Sequence, residues 1–169
     1  MKYSTFSEMK CVNKNINVDE NFILFLIKNK ITVSTAESLT AGLISSTIAN
    51  VPGASSVLEM GLVTYTEESK NLLLNVSRET LQRYSAVSFA TCYEMLNGLE
   101  LKSNSMLNIA TTGYAGPGDK AGLVFIGVSF MKNKHFYRLK INGDRNEIRL
   151  KVVSLAFYFS NNLIKEFIS

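Results

Sequence analysis

Segments typical of strands alternate with segments typical of helices along nearly the whole chain of 169 residues. Short β-branched or apolar runs predict strands at residues 31–35, 60–66, 106–111, 123–130 and 134–141. Amphipathic or capped segments predict helices at about residues 19–29, 40–50, 67–74, 88–101 and 144–165, and a further short helix that starts at residues 77–80. This alternation indicates an α/β fold with a mixed sheet, whose last two strands form a hairpin around Lys132 and Asn133.

Composition excludes several classes of protein. An apolar fraction of 46% and a charged fraction of 19% exclude wholesale disorder, and no apolar run approaches the roughly 18 residues of a membrane span. Residues 1–15 do not resemble a signal peptide. We therefore expect a cytoplasmic protein with one domain over residues 1–169, in which residues 1–17 form a poorly ordered extension.

The net charge and the few histidine and cysteine residues limit the kinds of functional site that the chain can form. The net charge of +4 suggests an anionic partner such as a nucleotide, but the basic residues are scattered and give no strong nucleic-acid signal. A single histidine, His135, excludes a zinc site built on several histidines and a relay of two histidines. Cys11 and Cys92 lie too far apart for a CxxC pair, and a reducing compartment is the simpler assumption.

Ser38 stands in TAESLTAG (residues 35–42), where a predicted strand ends and a predicted helix begins. Ligands bind at the carboxyl ends of strands in α/β sheets. Ser38 is therefore a candidate nucleophile, whose oxyanion would meet backbone N–H groups of the following helix. The alternative is that Ser38 or Thr40 only caps this helix and that Glu37 is a surface charge.

Lys70 lies in the first turn of a predicted helix, in GLVTYTEESK (residues 61–70), shortly after Tyr65 at the end of a strand. The positive end of the helix dipole favours the neutral amine that a general base needs. A lysine that works as a base at neutral pH needs a pKa about 3 units below its free value, and burial must supply most of that shift. The alternative is a solvated lysine beside Glu67.

Two further segments are candidates for contact with an anion. TTGYAGPG (residues 111–118) directly follows a strand, so it either brings backbone N–H groups close to a ligand or forms a plain turn. Arg145, in NGDR (residues 142–145), begins a helix. It either faces a phosphate or carboxylate or lies on the surface beside a cap formed by Asp144 and Glu147.

Taken together, these segments resemble the CinA C-terminal domain family, known for competence/damage-inducible proteins and for nicotinamide mononucleotide deamidases of the pyridine nucleotide cycle. The family pattern runs T-A-E-S-C-T-G-G, V-P-G-S-S, G-F-V-T-Y-S-N-E-A-K, L-G-V, G-A-V-S, T-G-I-A-G-P and G-D-R. Its counterparts stand here in the same order at residues 35–42, 51–56, 61–70, 74–76, 86–88, 112–117 and 143–145. The agreement covers the chain from about residue 19 onward.

The resemblance implies a stand-alone three-layer α/β/α sandwich, usually a homodimer or higher homo-oligomer, that hydrolyses the amide of nicotinamide mononucleotide. It implies Ser38 as the nucleophile, Lys70 as the general base and Tyr65 as a positioning or proton-relay group. No metal or organic cofactor and no membrane is required. The substrate-binding residues that the resemblance implies are Glu37, Thr40, Gly42, Thr112, Gly113, Ala115, Gly116 and Arg145.

Several positions depart from the family pattern. Leu39 replaces Cys, Ala41 replaces Gly, Met60 replaces a common Arg, and Tyr114 replaces a small aliphatic residue. Residues 118–122 replace a longer loop that ends in K-P-V-G and lies near the substrate in family members. Two alternatives to the deamidase therefore stay open: a member that binds a nucleotide or protein with little turnover, and an amidohydrolase of another small amide.

Overall fold

A mixed sheet of six strands forms the middle layer of the computed structural model, which describes residues 20–168 together with the backbone of residues 6–10. The strand order is β1-β6-β5-β4-β2-β3, and β4 and β5, like β5 and β6, pair antiparallel while the other pairs are parallel. The strands are β1 (Phe6–Lys10), β2 (Val33–Glu37), β3 (Leu58–Val63), β4 (Leu107–Gly113), β5 (Leu123–Phe130) and β6 (Asn133–Lys140).

Helices cover both faces of this sheet, which confirms the three-layer α/β/α architecture. The helices are α1 (Glu20–Lys28), α2 (Leu43–Ala49), α3 (Glu67–Leu74), α4 (Arg78–Tyr84), α5 (Phe89–Lys102) and α6 (Arg145–Ile168), with a short 3₁₀ turn at Ala54–Ser56. Buried side chains of α1, α2 and α6 form one apolar core with the sheet, and those of α3, α4 and α5 form a second. No helix among the described residues is both long enough and apolar enough to cross a membrane.

Capping side chains fix where two of the helices begin. Thr66 and Ser69 cap α3 reciprocally, since the hydroxyl of Thr66 accepts the Ser69 N–H at 3.1 Å and the hydroxyl of Ser69 accepts the Thr66 N–H at 3.0 Å. The predicted cap of α6 is also present. Asp144 Oδ1 accepts the Glu147 N–H at 2.9 Å, and Glu147 Oε2 accepts the Asp144 N–H at 2.8 Å.

The hairpin between β5 and β6 turns one residue earlier than predicted. Its two-residue loop is Met131-Lys132, with φ values of 49° and 69°, so Asn133 already belongs to β6. Two consecutive left-handed residues are the geometry of a type I′ turn, which matches the twist of antiparallel strands.

Other boundaries also differ from the sequence-based expectation. β1 lies inside the expected N-terminal extension and pairs with β6, while residues 1–5 and 11–17 of that extension fall outside the described residues. α2 begins at Leu43 rather than at Thr40, because residues 38–42 form a turn. This turn connects Ser38, directly after β2, to the start of α2.

The parallel strands β2, β3 and β4 place the candidate residues together. Glu37, at the end of β2, is in register with Val63 of β3 on one side and with Thr111 of β4 on the other. The chain therefore leaves these three strands at one edge of the sheet, through Ser38, through Thr64 and Tyr65, and through the glycine-rich segment after Gly113.

Candidate active site

A cavity of about 290 Å³ opens at this edge of the sheet. Its walls come from the turn after β2, the residues after β3, the segment between α4 and α5, the loop after β4 and the start of α6. The lining residues are Ser38, Leu39, Tyr65, Lys70, Ala86, Val87, Gly113, Tyr114, Ala115, Gly116, Pro117 and Arg145.

Ser38 and Lys70 are in direct contact at the base of this cavity. Lys70 Nζ donates a hydrogen bond of 2.9 Å to Ser38 Oγ, and it also lies 2.7 Å from the Thr64 carbonyl oxygen and 3.4 Å from that of Tyr65. Lys70 is completely buried in the first turn of α3, and Ser38 is also buried. The alternative of a solvated lysine is therefore wrong, and so is the alternative that Ser38 caps α2, because the N-cap of that helix is Gly42.

Burial lowers the pKa of Lys70 from its ordinary value of 10.5 to about 8, although the carboxylate of Glu67 acts in the opposite direction. A lysine with this pKa is neutral in about one molecule in ten at pH 7, compared with about one in 3,000 at a pKa of 10.5. The site thus keeps a useful fraction of its amine in the form that accepts a proton.

The contacts of Lys70 also orient the neutral amine. A neutral amine has two N–H bonds and one lone pair. The carbonyl oxygens of Thr64 and Tyr65 can accept only N–H groups, so they occupy both hydrogens and direct the lone pair toward Ser38 Oγ. The arrangement can therefore remove the proton of the serine hydroxyl as that oxygen attacks an electrophile.

The turn that carries Ser38 uses an uncommon backbone conformation. Ala41 and Gly42 both have positive φ, at 52° and 88°. Ala41 occupies a position where the family pattern has glycine, and an L-residue pays about 1–2 kcal/mol to adopt this conformation. Contacts from neighbouring elements must hold such a turn in place.

The expected oxyanion contact with α2 is wrong, because Glu37 already occupies the start of that helix. Its buried carboxylate accepts the N–H of Ile44 at 3.0 Å and the N–H of Ser45 at 2.9 Å. By contrast, the backbone N–H groups of Leu39 and Ala115 belong to cavity-lining residues and donate to no acceptor within the described chain.

The hydroxyl of Tyr65 is bound by Arg145 rather than by Ser38 or Lys70. Arg145 donates from one terminal nitrogen to the Tyr65 hydroxyl at 2.8 Å and from the other to the Gly116 carbonyl at 2.7 Å. Within the described residues, the Tyr65 hydroxyl makes no hydrogen bond to the Ser38–Lys70 pair. The geometry favours the positioning role over the proton relay.

Half of the predicted ligand residues line the cavity, namely Gly113, Ala115, Gly116 and Arg145. The other four, Glu37, Thr40, Gly42 and Thr112, do not line it, because each has an internal structural role.

Those four residues instead hold the framework around the cavity. Glu37 binds the start of α2, and Gly42 precedes that helix with a left-handed backbone. The Thr40 hydroxyl pairs with that of Thr111 at 2.9 Å, and the Thr112 hydroxyl donates to the Ala86 carbonyl at 2.7 Å. Glu37 is thus neither a surface charge nor a wall of the cavity.

Five lining residues were not predicted, and the signals for them were indirect. Ala86 and Val87 belong to the segment 86–88, whose match to the family pattern was interpreted only as the start of a helix. Leu39 and Tyr114 were recognised as departures from that pattern, and Pro117 as its last residue. Leu39, Ala86, Val87 and Pro117 are apolar, so a search for catalytic groups does not select them, and Tyr114 was noted only as a departure from the pattern.

The shortened loop at residues 118–122 is firmly anchored. The Gly122 N–H donates to the Tyr114 carbonyl at 2.7 Å, and Lys140 Nζ donates to the Ala121 carbonyl at 2.7 Å. A side chain at position 122 would place its Cβ 1.9 Å from the carbonyl oxygen of Ile141, so glycine is required there. Lys120 extends from this loop to 5.7 Å from the ring centre of Tyr114.

Comparison with known proteins identifies relatives of one kind. A family model described as the CinA C-terminal domain matches residues 15–164. A competence-damage inducible protein of Clostridium beijerinckii is 41% identical over 143 residues, which cover 82% of this chain and 35% of that protein. One from Clostridium botulinum is 42% identical over 149 residues, which cover 85% of this chain and 36% of that protein. The chain thus spans about a third of the length of these relatives.

Solved structures match most of this chain and nearly the whole of their own chains. The competence/damage inducible protein CihA of Agrobacterium tumefaciens superposes with a TM-score of 0.81 at 34% identity, covering 85% of this chain and 92% of that one. The competence damage-inducible protein A of Klebsiella pneumoniae superposes with a TM-score of 0.81 at 30% identity, covering 88% and 98%.

Proposed function

The chain belongs to the CinA C-terminal domain family, and on this premise we propose that it hydrolyses the amide of nicotinamide mononucleotide to nicotinate mononucleotide and ammonia. One observation carries the proposal: the buried amine of Lys70, with its lowered pKa, lies 2.9 Å from the hydroxyl of Ser38 in a cavity. A nucleophile and a base within hydrogen-bond reach are the signature of covalent catalysis.

In the first half of the reaction, neutral Lys70 accepts the proton of the Ser38 hydroxyl. Ser38 Oγ forms a bond to the carboxamide carbon, and the carbonyl π electrons move onto its oxygen. The N–H groups of Leu39 and Ala115 are the candidate donors to this oxyanion. The tetrahedral intermediate then collapses, the C–N bond breaks, and the Lys70 ammonium gives its proton to the leaving nitrogen, which departs as ammonia.

In the second half, water replaces ammonia. Lys70 is neutral again and accepts a proton from a water molecule as its oxygen attacks the acyl carbon of the Ser38 ester. Collapse of the second tetrahedral intermediate returns the proton to Ser38 Oγ and releases nicotinate mononucleotide. Each group thus returns to its starting state.

The walls of the cavity suit a nicotinamide nucleotide. Ala86, Val87 and Ala115 present small apolar groups against which a pyridine ring could pack. Arg145 contributes a positive charge to the lining, where a phosphate would be favoured. By the family resemblance, we also propose a cytoplasmic homo-oligomer, which light scattering after size-exclusion chromatography would test.

The decisive experiment measures ammonia release from nicotinamide mononucleotide by the native chain and by Ser38→Ala. The variant should retain the melting temperature of the native chain but lose turnover to background, because its nucleophile is gone. Ser160→Ala is the matched control, since Ser160 is also a buried serine but bonds within α6, to the Ala156 carbonyl at 2.7 Å. Retention of more than a few per cent of native turnover by Ser38→Ala would contradict the proposed mechanism.

The same samples distinguish a binding protein from an enzyme. The shortened loop and the bulky Tyr114 change the cavity relative to the family pattern. Tight calorimetric binding of nicotinamide mononucleotide without ammonia release would favour the nucleotide-binding alternative. Ammonia release from other small amides alone would favour an amidohydrolase of different specificity.

A further inference from the structure

Arg149 contacts the turn that carries the nucleophile, although it does not line the cavity. We call residues 38–42 the nucleophile turn. Arg149 projects from α6 and donates from Nε to the Leu39 carbonyl at 3.0 Å and from a terminal nitrogen to the Thr40 carbonyl at 2.9 Å. These carbonyls belong to the Leu39–Thr40 and Thr40–Ala41 peptides, the second and third peptide groups after Ser38.

Other hydrogen bonds hold the nucleophile turn to β4 and close it on itself. The Ser38 N–H donates to the Thr111 carbonyl of β4 at 3.0 Å, and the Thr40 hydroxyl pairs with that of Thr111 at 2.9 Å. Within the turn, the Ala41 N–H donates to the Ser38 carbonyl at 3.1 Å. At the far end, Glu37 holds α2 through the N–H groups of Ile44 and Ser45. Between these anchors, Ala41 and Gly42 adopt left-handed backbone conformations that a free chain would rarely maintain.

We propose that Arg149 is a positioning residue. By holding the carbonyls of Leu39 and Thr40, it keeps Ser38 in its place beside Lys70. The guanidinium is planar and offers two N–H groups in a fixed geometry, so it can hold both carbonyls at one relative orientation. Rotation of either peptide would move Ser38 Oγ away from Lys70 Nζ. The inference rests on the proposed function only in taking Ser38 as the nucleophile.

Arg149 shares α6 with Arg145, one helical turn earlier, but the two arginines have different targets. Arg145 contacts the Tyr65 hydroxyl and the Gly116 carbonyl, whereas Arg149 contacts only backbone carbonyls of the nucleophile turn. Loss of Arg149 should therefore lower kcat with little change in KM, since substrate contacts remain in place.

A serine-directed label tests the inference without any nicotinamide substrate. Phenylmethylsulfonyl fluoride sulfonylates an activated serine: Ser38 Oγ bonds to sulfur, fluoride leaves, and Lys70 takes the hydroxyl proton. The rate of this reaction, followed by intact-protein mass spectrometry, reports how well Ser38 and Lys70 are aligned. Lack of turnover of nicotinamide mononucleotide would thus defeat the proposed function and leave this test intact.

The variants are Arg149→Ala, Arg149→Lys and the control Lys151→Ala. Lys151 lies on the same helix, is also partly buried and donates to a backbone carbonyl, that of Asn142 at 2.8 Å, outside the nucleophile turn. We expect Arg149→Ala to label about 100-fold more slowly than the native chain, because small misplacements of reacting groups have effects of this size. Arg149→Lys should be intermediate, since one ammonium cannot reproduce the two-point contact.

Rescue by free guanidinium distinguishes a positioning role of Arg149 from a general effect of its loss on the structure. Guanidinium chloride at tens of millimolar, far below denaturing concentrations, should accelerate labelling of Arg149→Ala but not of the native chain, and sodium chloride should not replace it. Labelling of Arg149→Ala within threefold of the native rate, equal slowing by Lys151→Ala, or absence of rescue would each overturn the inference. If Arg149→Ala does not fold, Arg149→Lys decides: slow labelling at the native melting temperature supports the inference, and native labelling overturns it.

Discussion

Lys70 Nζ lies 2.9 Å from Ser38 Oγ, although 32 residues separate the two along the chain. The contact exists because β2 and β3 are parallel neighbours, so the residues that follow them emerge at the same edge of the sheet. α3 begins right after β3 and brings its first turn, with Lys70, back over the end of β2. The pairing therefore follows from topology rather than from local sequence.

The role of Lys70 as a base predicts that Lys70→Arg is as damaging as Lys70→Ala. Arginine keeps the positive charge but cannot lose its proton at any working pH, so it cannot accept the proton of Ser38. Both variants should reduce ammonia release to near background. Substantial activity in Lys70→Arg would show that the site needs only a positive charge. Arg78→Ala, which alters an exposed ion pair with Glu68, is the surface control.

The lowered pKa predicts an activity that rises with pH. The neutral amine is the working form, and the pKa of Lys70 is about 8, so kcat/KM should increase from pH 6.5 and level off above pH 9. Below the midpoint the increase should be about tenfold for each pH unit. A stopped series of ammonia assays in buffers of constant ionic strength measures it. A flat profile between pH 7 and 9 would contradict the assignment.

Burial of Lys70 also predicts a cost in stability that depends on pH. Between its folded pKa of about 8 and its ordinary value of 10.5, the unfolded chain binds more protons than the folded one, so stability from this group rises with pH. From pH 7 to pH 9 the native chain should gain about 1–2 kcal/mol in unfolding free energy relative to Lys70→Met.

Urea unfolding of both proteins at each pH measures this difference. Burial also raises the pKa of Cys92 and of Tyr137, each to about 12, but both proteins share these groups and their effects cancel in the comparison. A gap between the two proteins that stays constant from pH 7 to pH 9 would mean that Lys70 titrates normally.

The sequence predicted best where local chemistry decides the structure. The bounds of α3 agree with the prediction because the acidic first turn and the residues around Thr66 mark its start locally. By contrast, sequence reasoning predicted Glu37 as a ligand residue, because the pattern shows only that a carboxylate precedes the serine. That its oxygens turn toward the start of α2 depends on the turn after Ser38. Arg149 was missed for the same reason, since its partners lie about 110 residues earlier.

The hydrogen bond between Arg145 and Tyr65 predicts that changes at these positions are not additive. Tyr65→Phe and Arg145→Met should each lower kcat/KM, but the double variant should be less impaired than the product of the two effects, by about fivefold. That factor corresponds to about 1 kcal/mol for one hydrogen bond to a charged group at an exposed site. Tyr158→Phe, at an exposed tyrosine of α6, is the control. Strict additivity would show that the two side chains act independently on the substrate.

The anchored loop at residues 118–122 predicts a defect in substrate binding that a longer loop repairs. Gly118 faces open space, so residues can be inserted there, whereas Gly122 must be kept because of its contact with Ile141. A loop that covers the nucleotide contributes equally to substrate and transition state, so a family-length insertion ending in K-P-V-G should lower KM with little change in kcat. Two or three added hydrogen bonds of about 0.5–1.5 kcal/mol each correspond to a decrease of roughly one to three orders of magnitude. An insertion of the same length made of glycine and serine is the control, and an unchanged KM in the K-P-V-G graft would show that this loop is not a substrate lid.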